Sequence, residues 1–525
     1  MTTADRVILP SEPNQLGWVA LTTGNGEGYT GELPDRAAKS IATLIHTSDW
    51  HICDAESPAR QEYLDRYFDP DSKHRAELGF IGTYRAQEAF TLQVGKAWID
   101  AINNITVGPA LGNQVDAVVI TGDVSDNAQS NELDWYLTLL DGGEIDPSGG
   151  RANSEWVGAN ETVTWDERYW HPSGNVAGGE LDIPSRTYGF PTIPSLIESA
   201  RKKFKTAGLS HNWFSIHGNH DALLQGTVVA DETLRDLAIG NTRIIELSKH
   251  ASPLLIAEAI APSGIARYIH DDSFPTELVT PDARREIVRA GDFAKLHLGS
   301  TSKPNGHGFS QSNVTKNTAY FTAELGDLTL ISLDTVNQNG GWQGSLDREQ
   351  FMWLREQLTV SKDKYVLLAS HHPLHCLIND NKSVGEEARV LADELLSLIL
   401  SFDHVIAWLT GHEHRNAVHK HELNEKTLIE INSPSLIDWP QQGRILEISK
   451  EPNGTIAIVS TVIDHDGEVA PDYDRLNLTD IAGISRELAV NDYQRRDPQT
   501  SIQRLRGERE DRNFVIRIPD PFFQV

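Results

Sequence analysis

Five short patches gather side chains that bind metals and move protons. They are Asp49-Trp50-His51, Gly122-Asp123-Val124-Ser125-Asp126-Asn127, Gly218-Asn219-His220-Asp221, His371-His372-Pro373 and Gly411-His412-Glu413-His414. Asp49 and His51 are two apart, as are His412 and His414. In extended backbone such residues point to the same side, so each pair could reach one ion. Asp123 offers a carboxylate able to bridge two ions, and Asn219 offers a neutral amide oxygen. His371 adds an imidazole; His372 is its neighbour, and the H-x-P spacing favours His371. These seven groups (Asp49, His51, Asp123, Asn219, His371, His412 and His414) have enough donors for two metal ions. A mixed O and N set without thiolates suits Mn, Fe, Zn or Co in divalent or trivalent form. Two metals about 3.5–4 Å apart would clamp a phosphate, and the resulting hydroxide would attack phosphorus in line with the leaving oxygen. His220, beside Asn219, is placed to give that oxygen a proton. Asp126 could hold His220 in the protonated, correctly turned state. Gly122, Gly218 and Gly411 allow tight turns where a side chain would crowd the metals.

Such convergence requires strands. Each patch closely follows an apolar run that reads as one: Ile41–His46, Val115–Ile120, Trp213–His217, Tyr365–Ser370 and His404–Leu409. Thr329–Leu333 reads as a further strand. Leu428–Ile431, Arg444–Ile448 and Thr455–Val462 read as a strand meander. Helical spacing predicts helices near Thr83–Asn104, Pro194–Ala207, Asp231–Ala238, Pro281–Lys295, Asp347–Leu358 with Asp347 as N-cap, Glu386–Leu400 and Asp480–Tyr493. Strands and helices alternate early and strands cluster late, which suits an α/β body with two packed sheets. Residues 1–40 read as an arm laid over the body. The domain occupies 41–470, with insertions at 141–210 and 222–310. Residues 471–525 form a C-terminal helix and apolar tail.

Bulk composition narrows the function. With 525 residues the chain exceeds one ordinary core, so two domains or large insertions are expected. No apolar stretch approaches a membrane span. The N-terminus shows no export signal, which makes a cytoplasmic location the expectation. A net charge of −29 disfavours nucleic acid and anionic membranes as partners. A small anionic substrate would therefore need a local positive centre, which bound metal would supply. Cys53 and Cys376 read as small buried hydrophobes. His46, His217, His375, His419 and His421 read as hydrogen-bonded or surface residues. Arg415 and Asn416 could touch substrate or form a solvated turn. Trp156, Trp165 and Trp170 read as packing of the first insertion, with a substrate lid as the functional alternative.

The motif order D-x-H, G-D-x-x-D-N, G-N-H-D, H-x-P, G-H-x-H resembles the calcineurin-like metallophosphoesterase superfamily from about Thr43 to His414. Leu333-Asp334-Thr335 and Gln350–Leu354 look like the family's connecting segment. The long insertions, Gln225-Gly226-Thr227, Ser433-Pro434-Ser435 and Pro440–Arg444 are similar to an actinobacterial-type branch. The resemblance implies an α-β-β-α four-layer sandwich of two mixed sheets. It implies one metal held by Asp49, His51, Asp123 and His414, and a second held by Asp123, Asn219, His371 and His412. Asp126 stands where purple acid phosphatases have Tyr, so a tyrosinate–iron centre is not expected. Asp126-Asn127 also departs from the Asp-Arg-Gly of protein Ser/Thr phosphatases. The expected function is metal-dependent phosphoester hydrolysis, with phosphodiesters favoured over monoesters. The alternatives are a metal-stabilised, non-catalytic scaffold that binds a partner through its insertions, and a nuclease.

Overall fold

The computed structural model describes residues 2–35, 37–78, 84–150, 155–161, 165–174, 179–248, 273–495 and 502–523. Thr83, where the first predicted helix begins, and 249–272 of the second insertion lie outside the described residues. Twelve strands make two six-stranded mixed sheets. In chain order they are β1 (Lys39–Thr47), β2 (Ala117–Ile120), β3 (Trp213–Ser215), β4 (Phe321–Leu325), β5 (Leu328–Ser332), β6 (Tyr365–Ala369), β7 (Val405–Thr410), β8 (Ala417–Leu423), β9 (Lys426–Asn432), β10 (Gln442–Lys450), β11 (Thr455–Asp464) and β12 (Val515–Pro519). The first sheet runs β12-β11-β10-β1-β2-β3 and the second β4-β5-β6-β7-β9-β8.

β1, β2 and β3 are parallel neighbours, with Ile45 opposite Val118. β5, β6, β7 and β9 are likewise parallel. Parallel strands present their carboxyl ends on one edge, which brings the donor patches together within each sheet. The strands are buried on both faces, as their unbroken apolar runs require. Leu328, Leu330, Leu367, Ala369 and Leu409 join Leu44, Ile45, Val118 and Ile445 in one continuous hydrophobic core. The intervening Ile331, Val366, Leu368 and Trp408 face outward. There they pack against Phe351, Leu354 and Leu358 of α4 (Arg348–Val360) and Leu395, Leu398 and Ile399 of α5 (Ala392–Ile399). On the first sheet, α1 (Thr91–Asn103) and α2 (Ser130–Asp141) supply Trp98, Ile99, Leu133 and Tyr136. α6 (Leu478–Val490) packs against α1, and α3 (Ala290–Gly299) contributes Phe293 and Ala294.

Several expectations need correction. The predicted meander is split: β9 belongs to the second sheet, whereas β10 and β11 belong to the first. The 433–441 turn carries the chain between them, a choice local periodicity does not reveal. Of the helix expected over 386–400, only Ala392–Ile399 forms. Val390 instead bridges to Leu346. The helix expected over 194–207 is confined to Leu196–Ala200, because Phe204–Thr206 pairs with Gly143–Ile145. The 281–295 patch is helical chiefly over Ala290–Gly299. The arm carries a hairpin, Arg6–Pro10 with Leu21–Asn25, whose Ile8 and Leu21 pack on Trp439, Ala489 and Val490. Asp347 caps α4 as expected, its side chain accepting from the Gln350 N–H. Trp170 is fully buried with Trp18, Phe190, Ile193 and Leu488, which is packing rather than a lid. Among the described residues no helix is long and apolar enough to cross a membrane.

Candidate metal centre

The five patches meet where the carboxyl ends of both sheets face each other. Backbone bonding continues past the strand ends: Asp49 N donates to Gly122 O (3.0 Å), His51 N to Asp123 O (2.9 Å) and Gly411 N to His371 O (2.9 Å). Bonds between the sheets lock the halves together. His412 N donates to the Asp49 carboxylate (3.0 and 3.2 Å), and His371 Nδ1 donates to Thr121 O (2.8 Å).

The route by which the D-x-H and H-x-H pairs converge differs from the expected extended backbone. Asp49, His51, Asp123, His412 and His414 all have φ between 46° and 71°. Left-handed backbone at non-glycine residues costs free energy and persists where surroundings over-determine it, commonly at functional sites. The turn separates His412 from His414. His414 Nε2 lies 3.2 Å from Asp49 Oδ1, whereas His412 Nδ1 lies 3.2 Å from His371 Nε2. The glycines leave room for ligands rather than for ions alone. A Cβ on Gly411 would sit 1.8 Å from Ser48 Oγ and 2.6 Å from Asp49 Oδ2, and one on Gly218 would sit 2.2 Å from Asp123 Oδ1.

All seven predicted residues are brought together. Asp123 is central: Oδ2 lies 3.1 Å from His371 Nε2 and 3.8 Å from His51 Nε2, and Oδ1 accepts from His220 N (2.8 Å). Asp49, His51 and His414 form one group able to hold an ion, and Asp49, Asp123 and His371 another. Three histidines have Nδ1–H committed to an oxygen, His51 to Asp126 Oδ1 (2.9 Å), His371 to Thr121 O (2.8 Å) and His414 to Asp438 Oδ2 (2.6 Å). That fixes the tautomer and turns Nε2 inward, as outer partners of ligating histidines do. His51 Nε2 and His414 Nε2 consequently face each other at 3.2 Å, two lone pairs that a cation between them would satisfy. His372 has both nitrogens engaged, with Thr335 Oγ1 (2.8 Å) and Trp342 O (3.0 Å), which leaves His371 as the donor.

Asn219 supplies the test of whether a metal fits. Its Nδ2 donates to Gly226 O (3.0 Å), which turns Oδ1 the other way. That Oδ1 is buried without a hydrogen-bond partner. A buried carbonyl oxygen is rarely left so, and a metal ion would satisfy it. Electrostatics agree. Burial raises the Asp123 carboxyl, but the His371 and His220 charges override it and hold the group well below its usual range. Burial would lower His371, and Asp123 instead lifts it to about 9. The carboxylate is thus ionised and paired with His371 at neutral pH.

His220 and Asp126 are also present, in altered relation. His220 Nδ1 donates to the Asp126 carbonyl oxygen (2.8 Å), while the nearer carboxylate oxygen is 3.7 Å away. The Asp126 carboxylate serves His51 and Arg60 instead. Arg60 is fully buried and also binds Glu62 (2.8 Å) and Glu88 (2.7 Å). Sequence reasoning gave no role to three supporting residues. Besides Arg60, Asp221 accepts from Val124 N (3.0 Å), Ser125 N (2.9 Å) and Gly218 N (2.9 Å), tying the second patch to the third. Asp438 orients His414 and is itself held by Arg85 (2.8 Å) and Arg495 (3.0 Å). An acidic residue between Ile437 and Trp439 was the available signal for it.

Two mixed sheets thus bring O and N donors suited to metal ions together at their strand ends. Residues 182–416 match the calcineurin-like phosphoesterase family. The match spans Asn219, His371, His412 and His414 and begins after Asp49, His51 and Asp123. Over 88 residues the chain is 32% identical to a probable glycerophosphodiester phosphodiesterase GpdQ of Arcobacter nitrofigilis, covering 17% of this chain and 32% of the relative. The chain thus matches about a third of that relative's length. Among solved structures, a dimetal phosphatase from Danio rerio is 11% identical with a TM-score of 0.35, covering 81% of this chain and 99% of that one. GAP50, the anchor in the inner membrane complex of Plasmodium, is 10% identical with a TM-score of 0.26, covering 83% and 96%. Likenesses this distant carry no argument about activity.

Proposed function

We propose that the chain hydrolyses small phosphoesters, phosphodiesters in preference to monoesters, using two metal ions held by Asp49, His51, Asp123, Asn219, His371, His412 and His414. The observation that carries this reading is the buried, unpartnered Asn219 Oδ1, turned away from Gly226 on a segment whose His220 N–H binds the Asp123 carboxylate. We assign Asp49, His51 and His414 to one ion, Asn219, His371 and His412 to the other, and Asp123 to both. When bound, a metal pair supplies positive charge to a phosphoryl group and lowers the pKa of water. On a chain of net charge −29, that charge would be the centre an anionic substrate needs.

The protein's own groups position and protonate. His51 and His414 keep Nε2 inward because Asp126 and Asp438 hold the opposite nitrogens. His220 is fixed by its bond to the Asp126 carbonyl, with its ring centroid 4.5 Å from that of His51 at the margin of the cluster. Burial drives His220 down to about 4, so it is neutral at pH 7. It gains a second proton beside an anionic substrate and passes it to the leaving oxygen. Support for the diester preference comes from the matched relative, a probable glycerophosphodiester phosphodiesterase. We also take 41–470 as the catalytic domain with its insertions, with the arm 1–40 packing on it and segment 471–525 adding α6 and the edge strand β12.

Turnover of bis-p-nitrophenyl phosphate and p-nitrophenyl phosphate by Mn-loaded protein tests the reading. The diester should be the faster substrate by kcat/KM. Equal or faster monoester turnover would remove the diester preference, and turnover of neither would remove the enzyme assignment in favour of a non-catalytic scaffold.

A further inference from the structure

A second cluster lies on the other side of the 411–414 turn. Glu413, between two residues of the metal centre, directs its carboxylate to partners outside it. Oε1 lies 3.3 Å from His375 Nε2 and Oε2 lies 3.2 Å from His419 Nε2. The two imidazole centroids are 5.3 Å apart. One ligand atom from each of the three residues falls within 4.8 Å of the others. The residues come from three elements: the Leu374–Cys376 turn, the 411–414 turn and β8. Arg415 Nη2 also binds Glu413 Oε1 (2.8 Å), the outer hydrogen bond that commonly orients a ligating carboxylate. His375 is about half exposed (48%), so the cluster opens to solvent on that side.

We propose that His375, Glu413 and His419 form a third cation site, distinct from the pair in the metal centre. Two imidazoles, one carboxylate and an open solvent position suit Zn2+, Ni2+ or Co2+ rather than Mg2+ or Ca2+. A cation there ties the turn that carries His412 and His414 to β8 and to the turn after β6. It stiffens the segment that supplies one donor to each ion of the centre.

Metal counting on Zn2+-loaded, desalted protein tests this. The comparison is between the parent, His375→Ala, His419→Ala and the double variant. The expected result is one equivalent per chain less in each variant than in the parent, and a smaller rise in melting temperature on adding Zn2+. Arg415→Gln removes an orienting hydrogen bond but no donor, and keeps the equivalent. Because the readout is a difference of one equivalent, it does not depend on whether the main centre fills or is active. If the variants keep the parent's count while remaining folded by melting temperature, or if the parent binds no more than they do, the three residues are an ion-pair cluster with Arg415 and the site does not exist.

Discussion

Replacing Asp438 with Asn tests whether outer carboxylates set the histidine tautomers. The carboxylate accepts from His414 Nδ1 (2.6 Å), from Arg85 Nε (2.8 Å) and Nη2 (3.3 Å), and pairs with Arg495 (3.0 Å), all in a residue 2% exposed. An amide offers one oxygen to these donors. If that oxygen serves the arginines, its NH2 faces His414, which must then accept at Nδ1 and carry its proton on Nε2, where a metal would bind. If it serves His414, NH2 opposes a buried guanidinium. Loss of such an outer partner costs about 10–100-fold in metal affinity, or about 1.4–2.8 kcal/mol. Breaking the buried charge pairing adds about 3 kcal/mol or more of lost folding stability. Chelator competition measures the affinity on folded protein, and thermal unfolding of metal-free protein measures the second term. The weakened ion should be the one held with Asp49 and His51, the other staying near wild type. Folded Asp438→Asn protein that binds both ions with unchanged affinity would refute the tautomer reasoning.

Other perturbations have defined outcomes. His220→Ala should leave the metal content intact and slow poor leaving groups most, seen as a steeper dependence of rate on leaving-group pKa; an unchanged slope removes His220 as proton donor. Gly411→Ala should abolish metal binding, since its Cβ would meet Ser48 Oγ at 1.8 Å and Asp49 Oδ2 at 2.6 Å, and metal analysis reads this directly. His297 is fully buried and pushed down to about 3 by burial. A histidine with a depressed pKa contributes stability that is complete above about pH 6.5 and drains as pH falls toward 3, here a few kcal/mol. His297→Phe, which replaces a ring whose Nε2 has no partner, should flatten that acid limb in denaturant titrations between pH 7 and 4; an unchanged limb contradicts it.

The sequence carried the seven candidate donors because metal chemistry restricts residue type and these residues follow apolar strands closely. The strands at Ile41–His46, Tyr365–Ser370 and His404–Leu409 form within a residue or two of their expected bounds, since continuous β-branched and leucine-rich runs are buried on both faces. What local pattern did not convey is long-range. Whether β9 and β10 share a sheet depends on a turn, and helix signals near 194–207 and 386–400 lose to tertiary pairing. The i, i+2 pairs work through left-handed turns rather than extended backbone, because the histidines of 412 and 414 serve different sides. Asp126 was found as a motif residue, but its carboxylate serves His51 and Arg60. Arg60, Arg85 and Asp438 act across tens to hundreds of residues, a separation no local spacing rule reaches.

The most direct test of the account is anomalous diffraction from crystals of Mn-loaded protein. It predicts two peaks inside the seven-residue cluster, roughly 3.5–4 Å apart, with Asp123 between them and Asn219 Oδ1 on one. A single peak, or two peaks neither of which contacts Asn219, would contradict the dinuclear centre on which the proposed function rests.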